Sequence, residues 1–245
     1  LMVNTGRWVQ EFLRFATHEV GLITVADPYV QISSIMPQKR NPVSIEHSRA
    51  LASSSAGSAQ TVIQMLHNAP YGDIVDTEDD LQPTLYKSFH DASRVMKLMH
   101  AVIRTLTFNK EHAENEAKKN LIVITEFADV LTRDHDLSFR KAHTIAAKVA
   151  QESVQTGKEL YDWDVADINN MIDGTSLTEK EWNDIIDPNV FVERRSVRGG
   201  TNKEEVERMI EVRKASVEEQ NDELQGIEDE LEEALVQLKA ASVNH

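Results

Sequence analysis

The chain has no cysteine, which removes disulfide staples, thiolate nucleophiles and thiolate metal ligands together and makes the cytosol its natural compartment. It is also short of positive charge: 26 Lys and Arg stand against 41 Asp and Glu, a formal net charge of −15. A phosphate backbone is held mainly by clustered Lys and Arg, so a nucleic-acid partner is not expected. No apolar run approaches the roughly 20 residues that cross a bilayer, and no basic-then-apolar leader precedes the first helix. A soluble, cytoplasmic protein with no membrane partner is expected. None of the nine histidines lies four residues from another, so no helical metal pair is offered and no metal is anticipated.

What the sequence does contain is 40% apolar and 27% charged residues over 245 positions, enough for one or two compact domains with a real core. Strand signals are scarce. Val9, Leu13, Ala16 and Val20 share a helical face that Trp8 and Phe12 broaden, predicting a first helix over about 6–24 that Asp27-Pro28 ends. Asn41 is a good N-cap and Pro42 a good first residue for a second helix carrying Ile45, Arg49, Ala52, Ala56, Ala59, Ile63 and Leu66. Its middle, "ALASSSAGSAQ", lets neighbouring helices approach closely. A third helix repeats the spacing with Leu85, Phe89, Ala92, Met96, Met99, Ile103 and Leu106, which read as plain core. The fold class is all-α: a long-helix bundle followed by a smaller helical C-terminal domain.

From Asn109 the texture shifts to shorter helices at roughly 110–119, 124–133, 138–155, 164–172 and 178–186. "SVRGGTNKEEV" closes that region and opens a last helix, in which Val217, Leu224, Leu231 and Leu238 are spaced by seven and Gln220, Ile227 and Ala234 form a companion row; a partner helix is implied. The expected organisation is a central-bundle segment at 1–109, a helical domain at 110–202 and the heptad helix at 203–240.

One stretch carries most of the chemistry. "SSIMPQKRNPVSIEH", Ser33 to His47, holds two prolines five residues apart, which a helix would not tolerate, so it is a loop running into a helix start. Lys39 and Arg40 supply positive charge, Asn41 an amide, and the N–H groups of the helix beginning at Pro42 face the same space. Helix N-termini favour anions, and a carboxylate is the expected guest. Ser33 and Ser34 are too weakly acidic to react unaided, but an electropositive site activates a hydroxyl. Glu46 could polarise a histidine brought from elsewhere. The chemistry these groups suit is proton abstraction beside a carboxylate, with Lys39 and Asn41 holding the resulting charge; the bland alternative is a capped helix start behind a flexible loop.

"SSIMPQKRNP" resembles the signature loop of the fumarase, aspartase and argininosuccinate lyase superfamily, whose pattern is Gly-Ser, two residues, Met, two residues, Lys, one residue, Asn. Ser33, Met36, Lys39 and Asn41 match, and Ile32 replaces the leading glycine. Within the superfamily the chain most resembles argininosuccinate lyase, through Gln38 in "PQKRNP", "LSFRKAHTIAAKVAQ" and "DPNVFVERRSVRGGT"; the likeness runs from about 7 to about 207 and leaves out most of the heptad helix. The resemblance implies that Ser33 is the catalytic base, that Ser34 supports it, that Lys39 and Asn41 bind and stabilise carboxylate charge, and that Glu46 pairs with a histidine of the N-terminal half, which this chain does not contain. Tyr71, in "NAPYGDIVDTEDDLQP", matches a tyrosine that contacts the arginine-like part of the substrate. The glutamine and lysine that follow it in the family have no match, and Asp76 and Asp79 stand there instead. Arg40 fits a binding group and a solvated loop charge equally, and His47 is the one histidine beside the loop.

The resemblance thus implies a carbon–nitrogen lyase, cleaving argininosuccinate to arginine and fumarate by anti elimination in arginine biosynthesis, on a homotetramer whose sites draw on several chains. The chain begins inside a helical pattern, so a fragment lacking its N-terminal half, and silent by itself, is expected. Two alternatives remain: a fumarate-releasing lyase acting on another succinyl-amine such as adenylosuccinate, and a non-catalytic structural or interaction protein on the same scaffold.

Overall fold

The computed structural model describes residues 1–72 and 74–243, the side chains of Asp76 and Val243 excepted. Its first helix, α1 (Met2–Phe15), buries Met2, Thr5 and Val9 on one face. It ends nine residues before the expected position 24. Gly21 adopts φ +59° and its N–H bonds to the Thr17 carbonyl at 2.8 Å, turning the chain so that Val20 leaves the helical face. The freed segment becomes β1 (Ile23–Thr24), paired antiparallel with β4 (Thr107–Phe108). A second short ladder joins β2 (Gln31–Ile32) to β3 (Arg40–Asn41). Helix α2 (Val43–Met65) follows with Pro42 at the cap position and no side-chain cap bond. Asn41 therefore does not cap the helix; its backbone is taken up by the β-ladder.

Helix α3 (Val75–Thr105) accommodates Pro83 within its length and packs along α2, which also packs on α1. Val9, Ile45, Ala52, Val95, Met99 and Val102 form the core of this unit. Small side chains permit the close approach. Ser55 Oγ donates to the Ser88 carbonyl at 2.8 Å and Ser88 Oγ to the Ser55 carbonyl at 2.9 Å, a reciprocal buried pair that satisfies both hydroxyls. Beside it, the buried Asp91 accepts from Ser54 Oγ at 2.7 Å and Lys87 Nζ at 2.5 Å. Hydrogen bonds from Lys87 and then Ser54 hold its carboxyl below the usual range, against the opposing pull of burial.

This polar seam displaces the expected stripe of α3. The residues facing the chain's own core are Ser88, Asp91, Val95, Met99 and Val102. Of the expected set Met99 is buried, but Phe89 is 67% exposed and Met96 and Ile103 are each 47% exposed. The helix is apolar on a second face, and α2 takes only the small-residue one. On α2 likewise Ile45 and Ala52 are buried while Ile63 and Leu66 stand exposed.

The chain separates into two compact units, the first ending with α4 (Lys110–Ala117) at Glu116 and the second beginning at Ala117. In the second, α5 (Ile124–Arg133) and α6 (Phe139–Thr156) pack together, followed by α7 (Val165–Asn169), α8 (Glu179–Ile186) and α9 (Pro188–Glu193). Local chemistry explains the boundaries: Ser138 caps α6, Gly157 ends it at φ +72°, and Thr178 and Glu181 form a reciprocal capping box on α8. Phe127, Leu131, Val149, Ile168 and Trp182 lie at the centre of the core. The indole N–H of Trp182 finds the Trp163 carbonyl at 3.0 Å and that of Trp163 finds Ser153 Oγ at 2.8 Å.

Glu126 is fully buried on α5 and is met by Arg194 at 2.7 Å, by Arg195, and by Arg133 at 3.5 Å. Burial pushes its carboxyl up, but the hydrogen bonds of Arg194 and Arg195 outweigh this and leave it low. The turn after α9 is built around Gly200, where an added Cβ would lie 2.1 Å from the Arg195 carbonyl oxygen. Asn202 then closes the turn, its side chain donating to the Glu193 carbonyl at 2.8 Å and accepting from the Glu204 N–H at 2.8 Å, and α10 (Lys203–Val243) begins. Every residue from Val217 to Ser242 is exposed. Among the described residues no helix is long and apolar enough to cross a membrane.

Candidate active site

The ladder between β2 and β3 turns the Ser33 stretch into a hairpin tip, with Gln31 opposite Asn41 and Ile32 opposite Arg40. Arg40 clamps its base: one guanidinium nitrogen reaches the Val25 carbonyl at 3.1 Å and Asp27 Oδ1 at 2.5 Å. The sequence left Arg40 open between binding group and solvated charge; the fold gives it a supporting role. Within the tip Lys39 N–H donates to the Met36 carbonyl at 3.0 Å. Ser33 Oγ accepts the N–H groups of Ile35 at 3.2 Å and Met36 at 3.1 Å. Two donors aimed at one hydroxyl oxygen favour negative charge on it.

Under the tip lies a cleft of about 700 Å³, walled by Met36, Gln38, Lys39 and Arg40 on one side and by Ala16, Thr17, His18, Val25, Val30 and Asn109 on the other. A second recess of about 510 Å³ shares Ala16 to His18, Arg40 and Pro42 and adds Gln10, Leu13, Arg14, Glu46 and Arg49. Lys39 and Glu46 thus reach two recesses with a common wall at Arg40 and Pro42. Arg49 is held by Gln10 Oε1 at 3.2 Å. The second recess carries Arg14, Arg40 and Arg49 around Glu46; with Arg40 committed to Asp27, an anionic group entering it would meet the guanidinium groups of Arg14 and Arg49. Apart from Arg40, these basic residues were not singled out as site residues, although Arg49 lies one helical turn from Glu46 and was legible on that ground.

The other expected residues are less closely gathered. Ser33 and Asn41 are half-buried and Ser34 is exposed; the three stand on the hairpin but do not line either recess. Tyr71 is fully exposed in the connection between α2 and α3 and lines neither recess. His47 and Asp79 are exposed, and the Asp76 side chain lies outside the described residues. Among the described residues no cluster of three or more His, Asp or Glu is placed to hold a metal ion.

Long helices packed as in the lyase fold, with a signature loop at the head of α2, are the architecture of the fumarase/aspartase superfamily. A family model described as "Lyase" matches residues 1–57, and one described as "Argininosuccinate lyase C-terminal" matches residues 121–193. The chain belongs to the argininosuccinate lyase family. It is 39% identical over 205 residues to argininosuccinate lyase 2 of Agrobacterium fabrum, covering 82% of this chain and 41% of that protein. It is 31% identical over 246 residues to argininosuccinate lyase of Methanococcus maripaludis, covering 100% and 49%. The chain therefore spans just under half the length of these curated relatives. An EDDS lyase variant with bound fumarate superposes with a TM-score of 0.75 at 24% identity, covering 89% of this chain and 44% of that one. A class II fumarase from Schistosoma mansoni gives 0.56 at 16% identity, covering 76% and 36%; both likenesses concern the fold.

Proposed function

We propose that the chain supplies the C-terminal part of an active site that cleaves a succinyl-amine, argininosuccinate being the substrate the family membership favours, into an amine and fumarate. Ser33 removes a proton from the succinyl carbon, the carbon–hydrogen pair becomes the double bond of fumarate, and the carbon–nitrogen bond breaks on the opposite face. A group outside this chain protonates the departing nitrogen. Lys39 and Asn41 hold the carboxylate beside the reacting carbon, Ser34 supports Ser33, and Glu46 orients a histidine from the N-terminal half. No cofactor takes part.

The observation that carries this reading is the pair of backbone N–H groups directed at Ser33 Oγ. A serine is a poor base because its deprotonated form is costly, and donors at the oxygen reduce that cost. The basic wall of the recesses suits a substrate rich in carboxylates. Self-association, as a tetramer, would cover the apolar faces of α2 and α3. The specificity element is Tyr71, which would meet the amine half only in the assembled enzyme.

A single-chain chimera tests the proposal. The N-terminal half of the Agrobacterium relative is joined to this chain and fumarate release is followed with argininosuccinate, adenylosuccinate and ethylenediamine disuccinate. Release from argininosuccinate, reduced about a hundredfold or more by Ser33→Ala as expected for loss of a general base, supports it. Release from another succinyl-amine instead would move the substrate assignment while leaving the roles of Ser33 and Lys39 intact.

A further inference from the structure

The most prominent feature that the proposed reaction does not use is the distal part of α10. Ile210, Val217, Leu224, Leu231 and Leu238 repeat at intervals of seven, and Ile227 and Ala234 fill the row three residues on. In water such a seam needs a partner. Among the described residues nothing covers it: Leu224, Ile227, Leu231 and Leu238 are each at least half exposed.

The residues flanking the seam select the occupant. Between Lys214 and Lys239 there are nine acidic residues and no basic one. Glu223, Glu228 and Glu230 lie directly beside the apolar rows. In a parallel pair of two copies Glu223 of one would face Glu228 of the other, and in an antiparallel pair the same rows again set acid against acid. Like charges at these positions work against pairing and opposite charges direct it. A second copy is therefore a poor occupant, and an anionic membrane surface is poorer still.

We propose that the Val217–Leu238 segment of α10 is a docking helix for a separate protein partner that presents an amphipathic helix with a Leu- or Ile-rich seam flanked by Lys and Arg. The partner's cations pair with Glu223, Glu228 and Glu230 while its apolar row covers Leu224, Ile227 and Leu231. Docking also supports a helix that carries Gly226 at its centre, a residue that weakens an unsupported helix. The site is independent of the lyase chemistry and of any assembly through α2 and α3.

The test uses the full 245-residue chain and three labelled synthetic helices: one with Leu and Ile at the seam and Lys beside it, one identical but with Glu beside it, and a scramble of the first that keeps its composition. Fluorescence anisotropy at moderate salt is expected to show the Lys-flanked helix binding at least tenfold more tightly than the other two. Leu224→Lys with Leu231→Lys should abolish that binding, and Glu223→Lys with Glu228→Lys and Glu230→Lys should invert the preference toward the Glu-flanked helix. Failure of the Lys-flanked helix to bind, equal binding of the scramble, or binding that survives Leu224→Lys with Leu231→Lys would overturn the proposal. Light scattering closes the remaining route: an oligomer of the wild-type chain that dissociates on Leu224→Lys with Leu231→Lys would identify a second copy as the occupant and overturn it as well.

Discussion

A carboxylate removed wholly from solvent is tolerable only where charge and donors surround it, and Glu126 is surrounded by Arg194, Arg195 and Arg133. Glu126→Gln leaves three arginines without their carboxylate, but these are a quarter to a half exposed and water can reach them, so the expected loss in stability of the second unit at pH 7 is that of charge-assisted hydrogen bonds, about 1.5–3 kcal/mol. Its carboxyl is held below the unfolded value, so the contribution is complete above the unfolded value of about 4.3 and is lost as pH falls through the folded one. Thermal unfolding of wild type and Glu126→Gln should therefore converge in acid and reach a full, constant separation above about pH 5. Gly200 gives a second test. An added Cβ meets backbone oxygen of Arg195, not a flexible side-chain tip, so Gly200→Ala should destabilise the turn into α10 by about 1–3 kcal/mol, read as a shift in denaturant midpoint. Neither residue was legible as a tether. The sequence shows "RRSVRGG" as basic residues and glycine, and only the fold places its arginines on a glutamate 68 and 69 positions earlier. The signature loop was legible because Ser33, Met36, Lys39 and Asn41 match the superfamily pattern; the bonds that Ser33 accepts from Ile35 and Met36 within the tip were not.

At the scale of elements, several helices of the second unit fell close to where the sequence places them, while α9, which Asp187 caps, was not expected. Expected and observed bounds of the fifth helix coincide at 124–133, and the capping box of Thr178 and Glu181 fixes α8 one residue from the expected start. Boundaries set by distant contacts fell elsewhere. The chain leaves α1 after Phe15 because Ile23 and Thr24 pair with Phe108 and Thr107, partnerships 85 and 83 residues apart that no local pattern announces. The face of α3 was misread for a related reason: periodicity reports that Phe89, Met96 and Ile103 share a side, but not whether their neighbour belongs to the same chain. That α2 presents Ser54 and Ser55, and so selects Ser88 and Asp91, is a matter of which surfaces fit. The exposed side of α3 is expected to join chains. Phe89→Glu with Ile103→Glu should leave the circular dichroism of the chain nearly unchanged, since both side chains lie outside its core, and should reduce its mass by light scattering. An unchanged mass would place the contact elsewhere.

For the whole molecule, the chain spans 41% of the Agrobacterium relative and 49% of the Methanococcus maripaludis one, and the parts of the proposed reaction divide accordingly. In that proposal Ser33, Lys39, Asn41 and Glu46 would provide a base, an anion site and an orienting carboxylate, whereas the histidine that would partner Glu46 and the donor for the leaving nitrogen are assigned to the other half. Groups that act as a unit lose nearly all of their effect together, so half of the set is not expected to give half of the rate. The chimera of this chain with the N-terminal half of the Agrobacterium relative is the direct measurement, with fumarate release from argininosuccinate compared among the chimera, its Ser33→Ala variant and the isolated 245-residue chain. The account predicts release by the chimera, a loss of about a hundredfold or more on Ser33→Ala with substrate affinity little changed, and none by the isolated chain. Undiminished release by the Ser33→Ala chimera, or any release by the isolated chain, would contradict it.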